Sequence, residues 1–222
     1  MNQTAKTATD ASPARLLGII PRSWIYGFLD SLSRLAELLV RLKVGPNTIT
    51  ILAALAGLGS GALFALGQPV WAASLIIVSG ALDIIDGKVA AKTGKKSLYG
   101  AIFDSTLDRY SEFFIYFGLA YHFRGRWLMW IPFFTFLGSS MVSYTRARAE
   151  GLGIECTVGF MQRAERMILL VLGTAAGVIF RVFDPAMAAV LALIAVISNI
   201  TAFERAFFVR RIERQRKGEK EV

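Results

Sequence analysis

The sequence predicts an all-α fold: an integral membrane bundle of six transmembrane helices with an N-terminal interfacial amphipathic helix. Three observations carry that expectation. The 222 residues are 55% hydrophobic with a mean hydropathy of +0.51, too apolar for an ordinary soluble domain of this length. Six runs approach the roughly 20 apolar residues that a membrane-spanning helix needs. The net charge of +9 is concentrated beside those runs, where positive-inside bias and anionic lipid both explain it. Nucleic acid is therefore not expected as a partner. The lone Cys156 supports neither an intramolecular disulfide nor a cysteine zinc site.

Residues 1–20 begin MNQTAKTATDASPA, small and polar without periodicity, and read as a disordered tail rather than a signal peptide. Over 21–44, Trp24, Phe28, Leu32, Leu35, Leu38 and Leu39 oppose Arg34, Glu37 and Arg41. That period predicts an amphipathic helix in the membrane interface, the alternative being a helix packed under the bundle in water. The domain at 45–208 holds the six spans, at about 47–66, 69–92, 100–122, 127–148, 162–181 and 184–208. A basic tail is expected over 209–222.

Lysines and arginines set the orientation. Lys88, Lys92, Lys95 and Lys96 join spans two and three; Arg146, Arg148, Arg163 and Arg166 flank the next connection on that side; six more follow span six. The opposite side has Arg124, Arg126 and Arg181. Both termini are thus expected in the cytoplasm of what reads as a prokaryotic cell membrane protein. The solitary His122 reads as a helix end in the interface rather than as half of a catalytic dyad.

Four aspartates break the apolar pattern: Asp83 and Asp86 in span two, Asp104 and Asp108 in span three. An unpaired Asp at a helix centre costs about 2.5–3.5 kcal/mol on the insertion scale, so each needs a partner. Residues three or four apart share a helix face, placing Asp83, Asp86, Gly87 and Ala90 on one stripe and Gly100, Asp104 and Asp108 on another. Two facing carboxylate pairs form a nest for hard divalent cations such as Mg²⁺ or Mn²⁺. Gly87 and Gly100 would let a flat base or a phosphate approach the backbone, with Ala90 keeping that stripe open.

Written out, Asp83-x-x-Asp86-Gly87-x-x-Ala90, then Gly100-x-x-x-Asp104-x-x-x-Asp108, this pattern resembles the signature of the CDP-alcohol phosphotransferase family. The resemblance implies a membrane enzyme that transfers a phosphatidyl or related group from a CDP-linked donor, here CDP-diacylglycerol, to an alcohol, with release of CMP. It implies that Asp83, Asp86 and Asp104 hold metal, two ions in all, and that Asp108 is the general base with a metal role as well. It also implies a homodimer. One position departs: the family usually has Arg after the alanine, and this chain has Ala91, so that contact is either absent or supplied by Lys88, Lys92 or Lys95. Upstream, GPNTIT resembles the family's motif at the first span, which implies donor contacts for Asn47 and Thr50; Asn47 also reads simply as a helix N-cap.

The stretch SYTRARAEGLGIECTVGFMQRAERMILL resembles the acceptor region of phosphatidylinositol-phosphate synthases from bacteria and archaea. That resemblance implies a phosphate cradle of Arg146, Arg166 and Arg205, with Arg148 and Arg163 beside it. The competing reading makes these arginines interfacial anchors. DSTLDR, where glycerophosphate-using relatives commonly show DPxxDK, favours inositol phosphate over glycerol phosphate as acceptor. Glu112 extends the Asp104, Asp108 stripe, either as a hydrogen-bonding support or as an arginine's partner. A small cation transporter is the alternative from another class, since buried acids also mark ion paths.

Overall fold

The computed structural model describes residues 22–218, and the expected tail at 1–20 lies outside the described residues. Seven helices make up the described chain: α1 (Arg22–Arg41), α2 (Pro46–Ala65), α3 (Pro69–Lys92), α4 (Leu98–His122), α5 (Trp130–Gly151), α6 (Arg163–Ile179) and α7 (Phe183–Gly218). A short 3₁₀ turn, Trp127–Met129, precedes α5. Pro46 and Pro69 open α2 and α3, where a fixed φ and a missing N–H do no harm. Pro46 at the first turn moves the cap of α2 to Gly45, so Asn47 is not the N-cap that its sequence context also allowed.

Of these helices, α2, α3 and Phe183–Lys217 of α7 are long and apolar enough to cross a membrane by length and composition. α4 and α5 carry the charges of the site, and α6 has only 17 residues. The last helix does not end where the apolar run does. Helix-forming Arg, Glu, Gln and Lys extend it to Gly218, with Lys217 paired to Glu213 one turn earlier at 2.7 Å. The basic segment expected as a tail from residue 209 is therefore mostly helical.

α2, α3 and α4 pack together, α7 packs on α5 and α6, and contacts of α3 with α6 and α4 with α5 join the two groups. The main core contains Phe64, Ile76, Ile115, Tyr116, Leu119, Leu170, Met187 and Leu191. A smaller core seats Leu32 and Ala36 of α1 against Ile49, Ile85 and Val89. Leu35 and Leu38 of the same helix stay exposed. Two polar ties fasten α1 to α3: the Lys88 ammonium donates to the Ser33 hydroxyl, and Lys92 lies 2.6 Å from Glu37. Lys92 holds the Glu37 carboxyl below the usual carboxylate range. At the other end of the bundle, His122 and Arg126 both grip Asp184 at the start of α7, at 2.8 and 2.6 Å. The isolated histidine is thus a helix-end tie, as its context suggested.

α2 and α4 cross with their backbones in contact. A Cβ at Gly61 would lie 2.1 Å from the Phe114 carbonyl oxygen, and one at Gly118 would lie 1.9 Å from the Gly61 carbonyl oxygen. Only hydrogen fits there, and close backbone approach is what small residues provide between apolar helices. Gly118→Leu is expected to destabilise the protein by more than the about 1–3 kcal/mol typical of overpacking, because the clash is with backbone. Gly80→Ala, where nothing lies within 4 Å, should change stability by less than about 1 kcal/mol. Thermal unfolding of both purified variants in one detergent checks the contrast.

Candidate active site

α3 and α4 form a hairpin, and its aspartates lie within about three turns of the connecting loop. Ser97 starts α4 cleanly: its hydroxyl accepts a 2.9 Å hydrogen bond from the Gly100 amide. The helix then presents Asp104 and Asp108 to Asp83 on α3. One carboxylate oxygen from each of these three residues lies within 4.8 Å of the others. Asp86 is not a member of that trio. Its side chain is buried, and Thr50, expected at the donor, donates to its Oδ2 at 2.7 Å. The separation of 36 positions gives no local signal for that pair.

The two glycines differ in their surroundings: Gly87 is open, whereas Gly100 is crowded by the cap of its own helix. A Cβ at Gly87 would meet nothing within 4 Å, and one at Gly100 would sit 3.1 Å from Ser97 Oγ and 3.7 Å from Asn47 Oδ1. Exposed Asn47, half-buried Ala90 and both glycines thus border the same hairpin. Of the lysines expected to replace an arginine at position 91, Lys88 and Lys92 are tied to α1, while Lys95 is exposed.

The arginines divide in a way the sequence did not reveal. Arg163, the first residue of α6, reaches into the aspartates: its Nη1 lies 2.8 Å from Asp108 Oδ1 and 3.2 Å from Asp83 Oδ2. Gln162 and Glu165 cap α6 reciprocally, with Glu165 Oε2 accepting from the Gln162 amide at 2.6 Å. Arg166, one turn deeper, is 1% exposed. It donates to both oxygens of Glu112, at 2.7 and 3.0 Å, and to the Met161 carbonyl. Tyr116 also donates to Glu112, at 3.4 Å. Arg205 is 3% exposed and donates to the Val158 and Val142 carbonyls, pinning the loop between α5 and α6 to α7.

Gly159 in that loop has φ +107°, and a Cβ there would come within 2.4 Å of Thr201. The loop therefore needs glycine both for its turn and for its seat on α7. Arg146 and Arg148 are exposed, and Arg146 bonds Glu150 at 2.8 Å. Arg166 and Arg205, expected in a phosphate cradle, thus have their guanidinium groups committed to protein partners. The physical reason is burial: a guanidinium excluded from water must satisfy its donors where it lies.

The trio fits a hard divalent cation. Its donors are all carboxylate oxygens, and Asp104 Oδ1 is buried with no hydrogen-bond partner, an acceptor that a cation would satisfy.

Residues 43–202 match the CDP-alcohol phosphatidyltransferase family, and the chain belongs to it. It is accordingly an integral membrane transferase that handles substituted phosphate groups. Among its relatives is the archaetidylinositol phosphate synthase of Methanothermobacter thermautotrophicus, 35% identical over 170 residues that span 76% of this chain and 85% of the relative. The phosphatidylinositol phosphate synthase of Streptomyces avermitilis is 32% identical over 195 residues, 83% of this chain and 80% of that one. The crystal structure of the Mycobacterium tuberculosis phosphatidylinositol phosphate synthase with CDP-DAG bound superposes with a TM-score of 0.73 at 30% identity, covering 80% of this chain and 92% of that one. A second structure of that enzyme, with manganese and citrate, gives 0.72 at 28% identity, covering 80% and 88%.

Removing the charge of Glu112 would leave Arg166 buried and unpaired. Breaking a buried pair from one side typically costs about 3–5 kcal/mol. Glu112→Gln should therefore lower the unfolding temperature strongly, whereas Arg148→Gln, at an exposed side chain, should leave it nearly unchanged. An unaltered melting curve for Glu112→Gln would remove the structural role assigned to this pair.

Proposed function

We infer that this protein makes a phosphatidylinositol-phosphate-type lipid by transferring a phosphatidyl group from CDP-diacylglycerol, or its archaeal ether counterpart, to inositol phosphate. The convergence of Asp83, Asp104 and Asp108 within 4.8 Å, with Gly87 open one turn from Asp83, is the observation that carries the reading. The names of the relatives support the donor and acceptor classes. The full bundle is six membrane spans, α2 to α7, with α1 lying in the interface through its exposed Leu35 and Leu38. The active site and both termini face the cytoplasm of a prokaryotic cell membrane, and the protein works as a homodimer.

Asp83, Asp86, Asp104 and Asp108 would hold two divalent ions, Mg²⁺ or Mn²⁺. Bound there, such ions neutralise charge on the donor diphosphate and polarise the phosphorus under attack. The chain's own residues do the rest. Gly87, Ala90 and Gly100 admit the cytidine diphosphate along the hairpin, with Asn47 at its edge. Thr50 keeps Asp86 in one orientation through its 2.7 Å hydrogen bond. Asp108 takes the proton from the acceptor hydroxyl, whose oxygen forms a bond to the lipid-side phosphorus as the bond to CMP breaks. Of the arginines expected at the acceptor phosphate, Arg163 meets the aspartates and Arg146 and Arg148 are exposed, which supports a role for these three in binding it. Arg166 and Arg205, also expected at the acceptor phosphate, hold α6 and the preceding loop.

Purified protein given CDP-diacylglycerol and, separately, inositol phosphate, inositol, glycerol phosphate and serine is expected to release CMP with inositol phosphate and yield a product of matching mass. Preference for glycerol phosphate would reassign the acceptor. Cation uptake into sealed proteoliposomes with no CMP from any acceptor would instead favour a transporter. Asp108→Asn should reduce CMP release by a factor on the order of 10²–10⁴, and full activity in that variant would sink its role as base.

A further inference from the structure

We propose that Arg163 is a tethered counter-cation that occupies the carboxylate nest of the metal-free protein and competes with divalent cations for it. This rests on the metal-site reading above. One nitrogen of Arg163 bridges Asp83 on α3 and Asp108 on α4, at 3.2 and 2.8 Å. Those are two of the three carboxylates whose oxygens converge within 4.8 Å, so the guanidinium lies against the oxygens that a shared cation would use. Arg109, 3.7 Å from the other oxygen of Asp108, touches only one member of the trio.

Two orphaned atoms mark the substitution as incomplete. Asp104 Oδ1 is buried without a donor, and Arg163 Nε is buried without an acceptor. A guanidinium neutralises charge but has a fixed planar fork, and it cannot surround itself with oxygens as a spherical ion does. The arrangement leaves one carboxylate oxygen and one N–H unmatched, and a metal ion on the trio would resolve the first.

The backbone around Arg163 is anchored while its side chain alone reaches into the nest. The Gln162–Glu165 cap and the Arg166–Glu112 pair hold the first turn of α6 on either side of it. Metal entry therefore requires a rotamer change of one long side chain and no helix movement. The released fork, with its unpaired Nε, is then available to an anion. Because cation and guanidinium exclude each other, the apparent metal affinity is reduced by the fraction of molecules in which Arg163 has withdrawn.

Mn²⁺ titration of the full chain in lipid nanodiscs, read by the loss of free-ion EPR signal at constant pH and ionic strength, tests the competition. Arg163→Gln should bind Mn²⁺ about fivefold or more tightly than the wild-type chain. Arg163→Lys, which keeps the charge but not the fork, should fall between them. Unchanged or weaker Mn²⁺ binding in Arg163→Gln overturns the proposal. If that variant does not fold, Arg163→Lys decides alone, and affinity equal to or below wild type overturns it. Asp104→Asn locates the ions: it should weaken binding in every background. Mn²⁺ binding indifferent to Asp104, or none to any variant, would remove the metal-site reading and this inference together, whereas binding that needs Asp104 but ignores Arg163 removes only the inference.

Discussion

Mutual repulsion among carboxylates organises this protein. Two unit charges 4.8 Å apart at an effective dielectric of about 20 repel by about 3.5 kcal/mol, and Asp83, Asp104 and Asp108 present three such pairs. Nothing in an apolar bundle offsets that unless cations are brought to them. Arg163 supplies one from α6, and Thr50 on α2 steadies Asp86 beside them with a neutral hydroxyl. Both α2 and α6 thus contribute a group whose purpose is intelligible only from the aspartates.

Holding such a cluster demands rigid neighbours. The α2–α4 crossing at Gly61 and Gly118 brings backbones into contact, and it aligns Thr50 and Asn47 with the hairpin. On the opposite flank, Glu112 and Arg166 form a bidentate pair that is almost fully buried. A buried ion pair is a poor source of net stability, but its geometry is stringent, since a misplaced partner leaves a bare charge. Here it sets α6 against α4 one turn below the point where Arg163 meets Asp108. Arg205 does the same for the loop ahead of α6, donating to the Val158 carbonyl within it and the Val142 carbonyl on α5. The arginines are sorted by what they meet. Arg166 and Arg205 bond protein partners and hold helices and a loop in place, whereas Arg163 meets the aspartates and Arg146 and Arg148 are exposed.

Much of the site was legible from spacing alone. Asp83, Asp86, Gly87 and Ala90, and then Gly100, Asp104 and Asp108, share faces because helical periodicity leaves them no alternative, and their donor chemistry follows from residue type. The arginines were less legible. Positions 163 and 166 carry the same residue three apart on one helix, and a turn of helix sends one to the aspartates and the other into the core. Glu112 was visible as a continuation of the acidic stripe, yet its partner stands 54 positions away. Thr50 read as a donor contact because of the motif around it, and only the packing of α2 on α3 shows that its hydroxyl donates to Asp86.

By itself the sequence determined the all-helical class, the membrane setting, the acidic hairpin and the family, because each depends on local periodicity, composition or fixed offsets along one or two helices. Tertiary structure decided the rest: that Asp83, Asp104 and Asp108 converge while Asp86 bonds Thr50, that Arg166 and Arg205 are buried with protein partners, and that Arg163 is the arginine that bridges Asp83 and Asp108. Those outcomes depend on which faces of distant helices meet. A side chain's charge is written in the chain, but whether it meets water, a carboxylate or a carbonyl is settled only when the helices pack and solvent is excluded.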